Sequence, residues 1–199
     1  MTKRTPAVLA ALCAAVTLSG CFEAAVVGAS ATVLAAVDRR TTGTQIEDEG
    51  IELRAVNRIG ERYGDKVHVN VTSFNRNALL TGEVSDAAAR SEIEKIVRGL
   101  ANVRGVTNEA QVAGVSAYSA RASDATITGK VKARFLDANK FNAVHVKVVT
   151  EASVVYLIGI VTEKEAADST EIARTTSGVR KVVKMFEYCK PTDEVCRPR

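Results

Sequence analysis

Apolar positions change period several times after residue 50, and the same succession returns about 76 residues later. Ile51, Ala55 and Ile59 fall at i, i+4 and i+8, the stripe of an amphipathic helix. In KVHVNV (66–71), Val67, Val69 and Val71 alternate with polar residues, which predicts a strand. FNRNA follows as a polar turn, then Leu80-Thr81-Gly82-Glu83-Val84 as a second strand, so the pair predicts a hairpin. Ala89, Ile93, Val97 and Leu100 form a second helical stripe, with Ser85 or Asp86 as the N-cap. VRGVTNEAQV (103–112) predicts a closing strand.

The second copy answers element by element. Ile127, Val131 and Phe135 repeat the first stripe at a shift of 76. AVHVKV (143–148) and Leu157-Ile158-Gly159-Ile160-Val161 repeat the two strands at 77, with EASV between them. Thr162 and Glu165 form a capping-box pair before Ala166, Thr170 and Ala173, and VRKVVKMFEY (179–188) closes the copy. Two helices with apolar stripes need a sheet face to cover. A closing strand reached through a helical crossover pairs parallel to a hairpin strand, giving a mixed sheet. The expectation is an α+β protein of two tandem αββαβ domains, each a three-stranded mixed sheet packed by two helices. The expected boundaries are 50–113 for the first domain, 114–122 for a linker, 123–189 for the second domain and 190–199 for a tail.

The start of the chain has a different grammar. Lys3 and Arg4 precede an uncharged apolar run from about Pro6 to Leu18, too short to span a bilayer and patterned like a secretory signal. Leu18-Ser19-Gly20-Cys21 then resembles the bacterial lipobox. That resemblance implies a cleaved signal at 1–20 and a covalent diacylglycerol and N-acyl chain on Cys21, with no other cofactor. An ordinary signal peptide that happens to contain a cysteine is the plainer alternative. Residues 21–49 are expected as lipidated N-terminus and tether, with DRRTTGTQIEDEG (38–50) as polar linker.

The double repeat, with Gly82 and Gly159 closing the hairpins and with V-x-x-V closing strands, resembles the BON domain of bacterial envelope proteins. With the lipobox in front, the arrangement is similar to the dual-BON outer-membrane lipoproteins. One departure is Asn102, where the second copy has Gly178. The resemblance implies a non-enzymatic role in envelope integrity, at the outer membrane facing the periplasm. It also implies that the second domain touches anionic phospholipid through Thr126, Lys130, Val131, Lys132 and Leu136. Thr126 stands where the family carries an aromatic. Read from the residues alone, Lys130, Lys132 and Arg134 fit either an anionic surface or an ordinary solvated face. A scaffold docking envelope protein partners is the competing function.

Charge and cysteines narrow the field. The formal charge is +4, falling to +2 once Lys3 and Arg4 leave, which is no nucleic-acid footprint. Cys189 and Cys196 remain in the tail, and an oxidising compartment favours a disulfide over two free thiols. His68 and His145 occupy equivalent strand positions and are expected at the surface without a metal. Glu92, Glu94, Glu163 and Glu165 are expected on solvent-facing helical positions. No arrangement of nucleophile, base and orienting acid can be assembled, so no catalytic residue is expected.

Overall fold

The computed structural model describes residues 38–197; the signal, Cys21 and most of the expected tether lie outside that range. The first repeat runs α1 (Thr42–Tyr63), β1 (His68–Phe74), β2 (Asn77–Val84), α2 (Ala87–Arg98), β3 (Gly105–Asn108) and β4 (Gln111–Val112). The second runs α3 (Tyr118–Ala138), β5 (Lys147–Glu151), β6 (Val154–Val161), α4 (Glu163–Arg174) and β7 (Lys181–Tyr188). In each, an antiparallel hairpin is joined by a closing strand parallel to its second member, as a helical crossover requires. The first closing strand is interrupted. Buried Ala110 splits it, and both pieces, β3 and β4, run along β2.

The helical stripes pack as their spacing predicts. Ile51, Ala55 and Ile59 join Ile93 and Val97 over Val71, Leu80 and Val84. Ile127, Val131 and Phe135 do the same over Val148, Val155, Leu157 and Val161. Asp86 is the N-cap of α2, accepting from the Ala89 amide. Thr162 and Glu165 form a complete capping box on α4. The buried residues of α4 are Ala166, Ser169, Ile172 and Ala173, a wider stripe than Ala166, Thr170 and Ala173.

Several expectations change. The stretch read as polar linker is helical from Thr42, with Thr41 as its N-cap. Likewise α3 begins at Tyr118, ahead of the expected domain start. In the second copy the sequence AVHVKV is only partly strand: Ala143–His145 is a 3-10 turn, and pairing starts at Lys147. Gly82 and Gly159 do not close the hairpins. The turns are Asn75-Arg76 and Ala152-Ser153, all at positive φ, the geometry that matches strand twist in two-residue hairpins. The glycines lie further along β2 and β6, where a Cβ would sit 2.0 Å from the His68 carbonyl oxygen and 2.2 Å from that of His145. Asn102 and Gly178 both have positive φ, 66° and 97°, a region asparagine tolerates better than most residues. The departure within the repeat therefore preserves the backbone path.

Both domains fall within one compact unit, Arg39–Arg199. The sheet faces turned away from the helices meet each other. Phe74 and Leu79 of the first domain pack with Tyr156 and Ile158 of the second, flanked by Val149, Val183 and Met185. Polar ties frame this seam. The amides of Asn75 and Asn77 donate to Glu187 at 2.8–3.1 Å, Lys147 donates to Glu52 at 3.1 Å, and Asn70 donates to Glu151 at 2.9 Å. Cys189 and Cys196 are joined in a disulfide, their Cα atoms 6.2 Å apart, with Cys196 buried.

Candidate functional site

The long helix α3 carries the residues singled out for lipid contact, and its phase divides them. Val131 is completely buried, in the core with Ile127 and Phe135. It cannot touch a membrane without unfolding the domain, so it leaves the expected contact set. Thr126, Lys130 and Lys132 are exposed, and Leu136 is 69% exposed. Arg134 also drops out of the basic face. Its guanidinium donates to the Ile172 carbonyl at 2.8 Å and to the Thr176 and Thr175 hydroxyls at 2.7 and 3.1 Å. It thereby caps the C-terminal end of α4, where orphan carbonyls and the helix dipole favour a cation.

One residue on this face escaped sequence reasoning. Tyr118 is 87% exposed and precedes Leu136 by about five turns at 3.6 residues per turn, so both project from the same side. Arg121 stacks on its ring, the guanidinium carbon 5.2 Å from the centroid. Its signal in the sequence is that Tyr118 continues the phase of Leu136, on a helix that begins five residues before the expected domain start at 123. Tyr118, Lys132 and Leu136 thus lie within about 40° of one line along α3, while Lys130, two residues before Lys132, projects from the other flank of the exposed arc. Asp137 is exposed on the same helix and offsets one positive charge.

Two buried aspartates hold the hairpins in place. Asp48 is 2% exposed and accepts from the Asn75 and Arg76 amides at 2.8 and 2.7 Å and from the Ser73 hydroxyl at 2.7 Å. Arg40 pairs with it at 2.9 Å. Asp124 repeats the device, accepting from the Ala152 and Ser153 amides at 2.9 and 2.8 Å. Neither was picked out from the sequence.

The histidines are not at the surface. His68 Nδ1 lies 3.0 Å from Glu83 Oε2, and His145 Nδ1 lies 3.1 Å from Glu165 Oε1; all four side chains are mostly buried. Glu165 is therefore not the solvated acid expected. Burial raises its pKa, but hydrogen bonds from Arg39, the Thr162 amide and His145 outweigh that and bring it down to about 2. Arg39 lies 2.6 Å from this carboxylate and also donates to the Ile160 carbonyl at 2.8 Å. No helix among the described residues is long and apolar enough to cross a membrane.

A hairpin crossed over by a helix to a parallel third strand, built twice, defines a tandem α+β protein. The chain belongs to the BON domain family, which matches it at residues 48–114 and 123–190. It is similar to the outer membrane lipoprotein DolP of Haemophilus influenzae, 34% identical over 177 residues, covering 88% of this chain and 92% of that one. It is also similar to the 21 kDa hemolysin of Actinobacillus pleuropneumoniae, at 30% identity with 76% and 79% covered. The osmotically-inducible protein Y of Escherichia coli is 30% identical over 117 residues, covering 57% of this chain and 58% of its own.

Proposed function

We propose that this protein is a non-enzymatic lipoprotein of the outer membrane, facing the periplasm, that supports envelope integrity by laying α3 of its second domain on anionic phospholipid. The observation that carries this reading is the exposed arc of α3, where Lys132 lies beside the line of Tyr118 and Leu136 and Lys130 lies on the other flank, all exposed. Basic residues near an anionic surface contribute about 1 kcal/mol each, and the two apolar side chains add a shallow hydrophobic contact. Such a contact alone is weak. The lipid expected on Cys21 would supply constant attachment, so a weak second contact acts at high effective concentration. Similarity over most of both chains to a protein called an outer membrane lipoprotein supports the location.

Co-sedimentation of residues 39–199 with vesicles tests this. Binding to phosphatidylglycerol vesicles, none to phosphatidylcholine vesicles, and loss on combined Lys130→Glu and Lys132→Glu substitution are the expected results. Equal binding to both vesicles, or binding that survives the double reversal, refutes the assigned face.

A second reading, a scaffold for envelope protein partners, has its own observation. Ile46, Leu53 and Val56 are exposed apolar residues on α1, and Arg54 in the same turn is paired with Glu47 at 2.6 Å. Absence of vesicle binding, together with a partner lost on Leu53→Asp, favours that reading.

A further inference from the structure

We propose that His68, Glu83 and Glu151 form a binding site for a first-row divalent metal ion of the Zn2+ type, held across the seam between the two domains. His68 and Glu83 face each other on β1 and β2 of the first domain, and Glu151 reaches them from the end of β5 in the second. One ligand atom from each of the three lies within 4.8 Å of the others.

The distances suit such an ion. Ligand atoms at 2.0–2.1 Å from a tetrahedral centre are about 3.3 Å apart, and His68 Nδ1 already lies 3.0 Å from Glu83 Oε2. The ligand chemistry also fits. An imidazole with carboxylates favours Zn2+ over Ca2+ or Mg2+, which prefer oxygen alone.

The electrostatics point to a cation. Two carboxylates converge in a seam where Glu83 is 7% exposed. Glu83 accepts from His68 and the Ser116 amide, and Glu151 accepts from the Asn70 amide. Among the described residues no lysine or arginine bridges either one.

The second copy supplies the comparison. His145, the repeat equivalent of His68, also faces a glutamate, but there Arg39 stands at 2.6 Å as a built-in cation. In the first copy the third group is a carboxylate from the other domain. The repeat thus meets one histidine–glutamate pair with positive charge and the other with further negative charge. An ion bound there would join the domains through ligands from both.

Equilibrium dialysis of the metal-stripped, full-length protein in detergent against micromolar Zn2+ tests this. One Zn2+ per chain is expected, unaffected by millimolar Mg2+ or Ca2+. Glu151→Gln and His68→Gln should each weaken binding by about tenfold or more, while His145→Gln leaves it unchanged. Zn2+ should raise the melting temperature of the wild type and not that of either site variant, a readout that also shows whether the variants are folded. Absent or non-stoichiometric binding overturns the proposal. So does Zn2+ binding that survives Glu151→Gln, or displacement by Ca2+.

Discussion

Asp48→Ala should be among the most destabilising polar substitutions in the first domain. The carboxylate accepts two turn amides and the Ser73 hydroxyl and meets Arg40, at 2.7–2.9 Å throughout. Hydrogen bonds to a charged group contribute about 1.5–3 kcal/mol each, and orphaned buried donors cost about 1–3 kcal/mol. The three bonds are not additive, and water entering beside the turn recovers part of the loss. The expected cost is about 3–4 kcal/mol, a large share of the roughly 5–15 kcal/mol that holds a domain folded. Asp124→Ala removes two turn amides without the hydroxyl or the arginine, so its cost should be smaller, about 2–3 kcal/mol. Urea unfolding followed by circular dichroism measures both, as midpoint shifts at unchanged slope. A loss below about 1 kcal/mol for Asp48→Ala would mean that the turn holds itself. A larger loss for Asp124→Ala than for Asp48→Ala would refute the bond-by-bond reasoning.

Glu165 should give the protein an acid limb. Its pKa is held near 2 against an ordinary value near 4.5, so its contribution of about 3 kcal/mol is complete above about pH 5 and lost as pH falls towards 2. Glu165→Gln should remove that contribution at neutral pH and flatten the stability profile in the same window; a profile unchanged by the substitution contradicts the assignment. Gly82→Ala places a Cβ 2.0 Å from the His68 carbonyl oxygen at a positive φ and should cost about 3 kcal/mol or more. Gly60→Ala, in a helix with nothing within 4 Å, should gain about 0.5–1 kcal/mol; thermal melts compare the two directly. Arg134→Ala should lower stability through the end of α4 while leaving vesicle binding intact, and a loss of binding with unchanged stability would return Arg134 to the lipid face.

The elements most legible in the sequence are those whose apolar stripe faces its own sheet. Ile51, Ala55 and Ile59, and their partners 76 residues on, need nothing beyond a period of 3.6 to be placed. Asp48 and Asp124 were hidden by the same logic: each extends its stripe by one turn, but a charged residue in that phase reads as the end of the helix. Their clue is the repeat itself, since an aspartate stands three residues before the first apolar position in both copies. Val131 was assigned to the core and to the lipid face at once, and helical phase permits only the first. Leu136 is legible as exposed for the same reason. The packing of the two sheets also left a trace. Strand β6 reads VVYLIGIV, a nearly continuous apolar run of the kind found in strands covered on both faces. A half-solvated hairpin would alternate instead.

That double burial limits where this protein can meet anything else. Phe74, Leu79, Tyr156 and Ile158 are buried between the sheets, each worth about 1.5–3 kcal/mol when removed from water. The sheet faces are spent on holding the domains together, and the outer faces of the helices remain. A second domain cut free at residue 114 would therefore not be a neutral reporter of lipid binding. It would expose Tyr156, Ile158, Val183 and Met185 as a new apolar patch, and such patches adhere to other surfaces. The isolated domain should self-associate in sedimentation experiments and bind neutral and anionic vesicles alike, whereas the two-domain protein should discriminate between them. A monodisperse isolated domain with unchanged vesicle selectivity would show that the seam contributes little and that α3 acts alone.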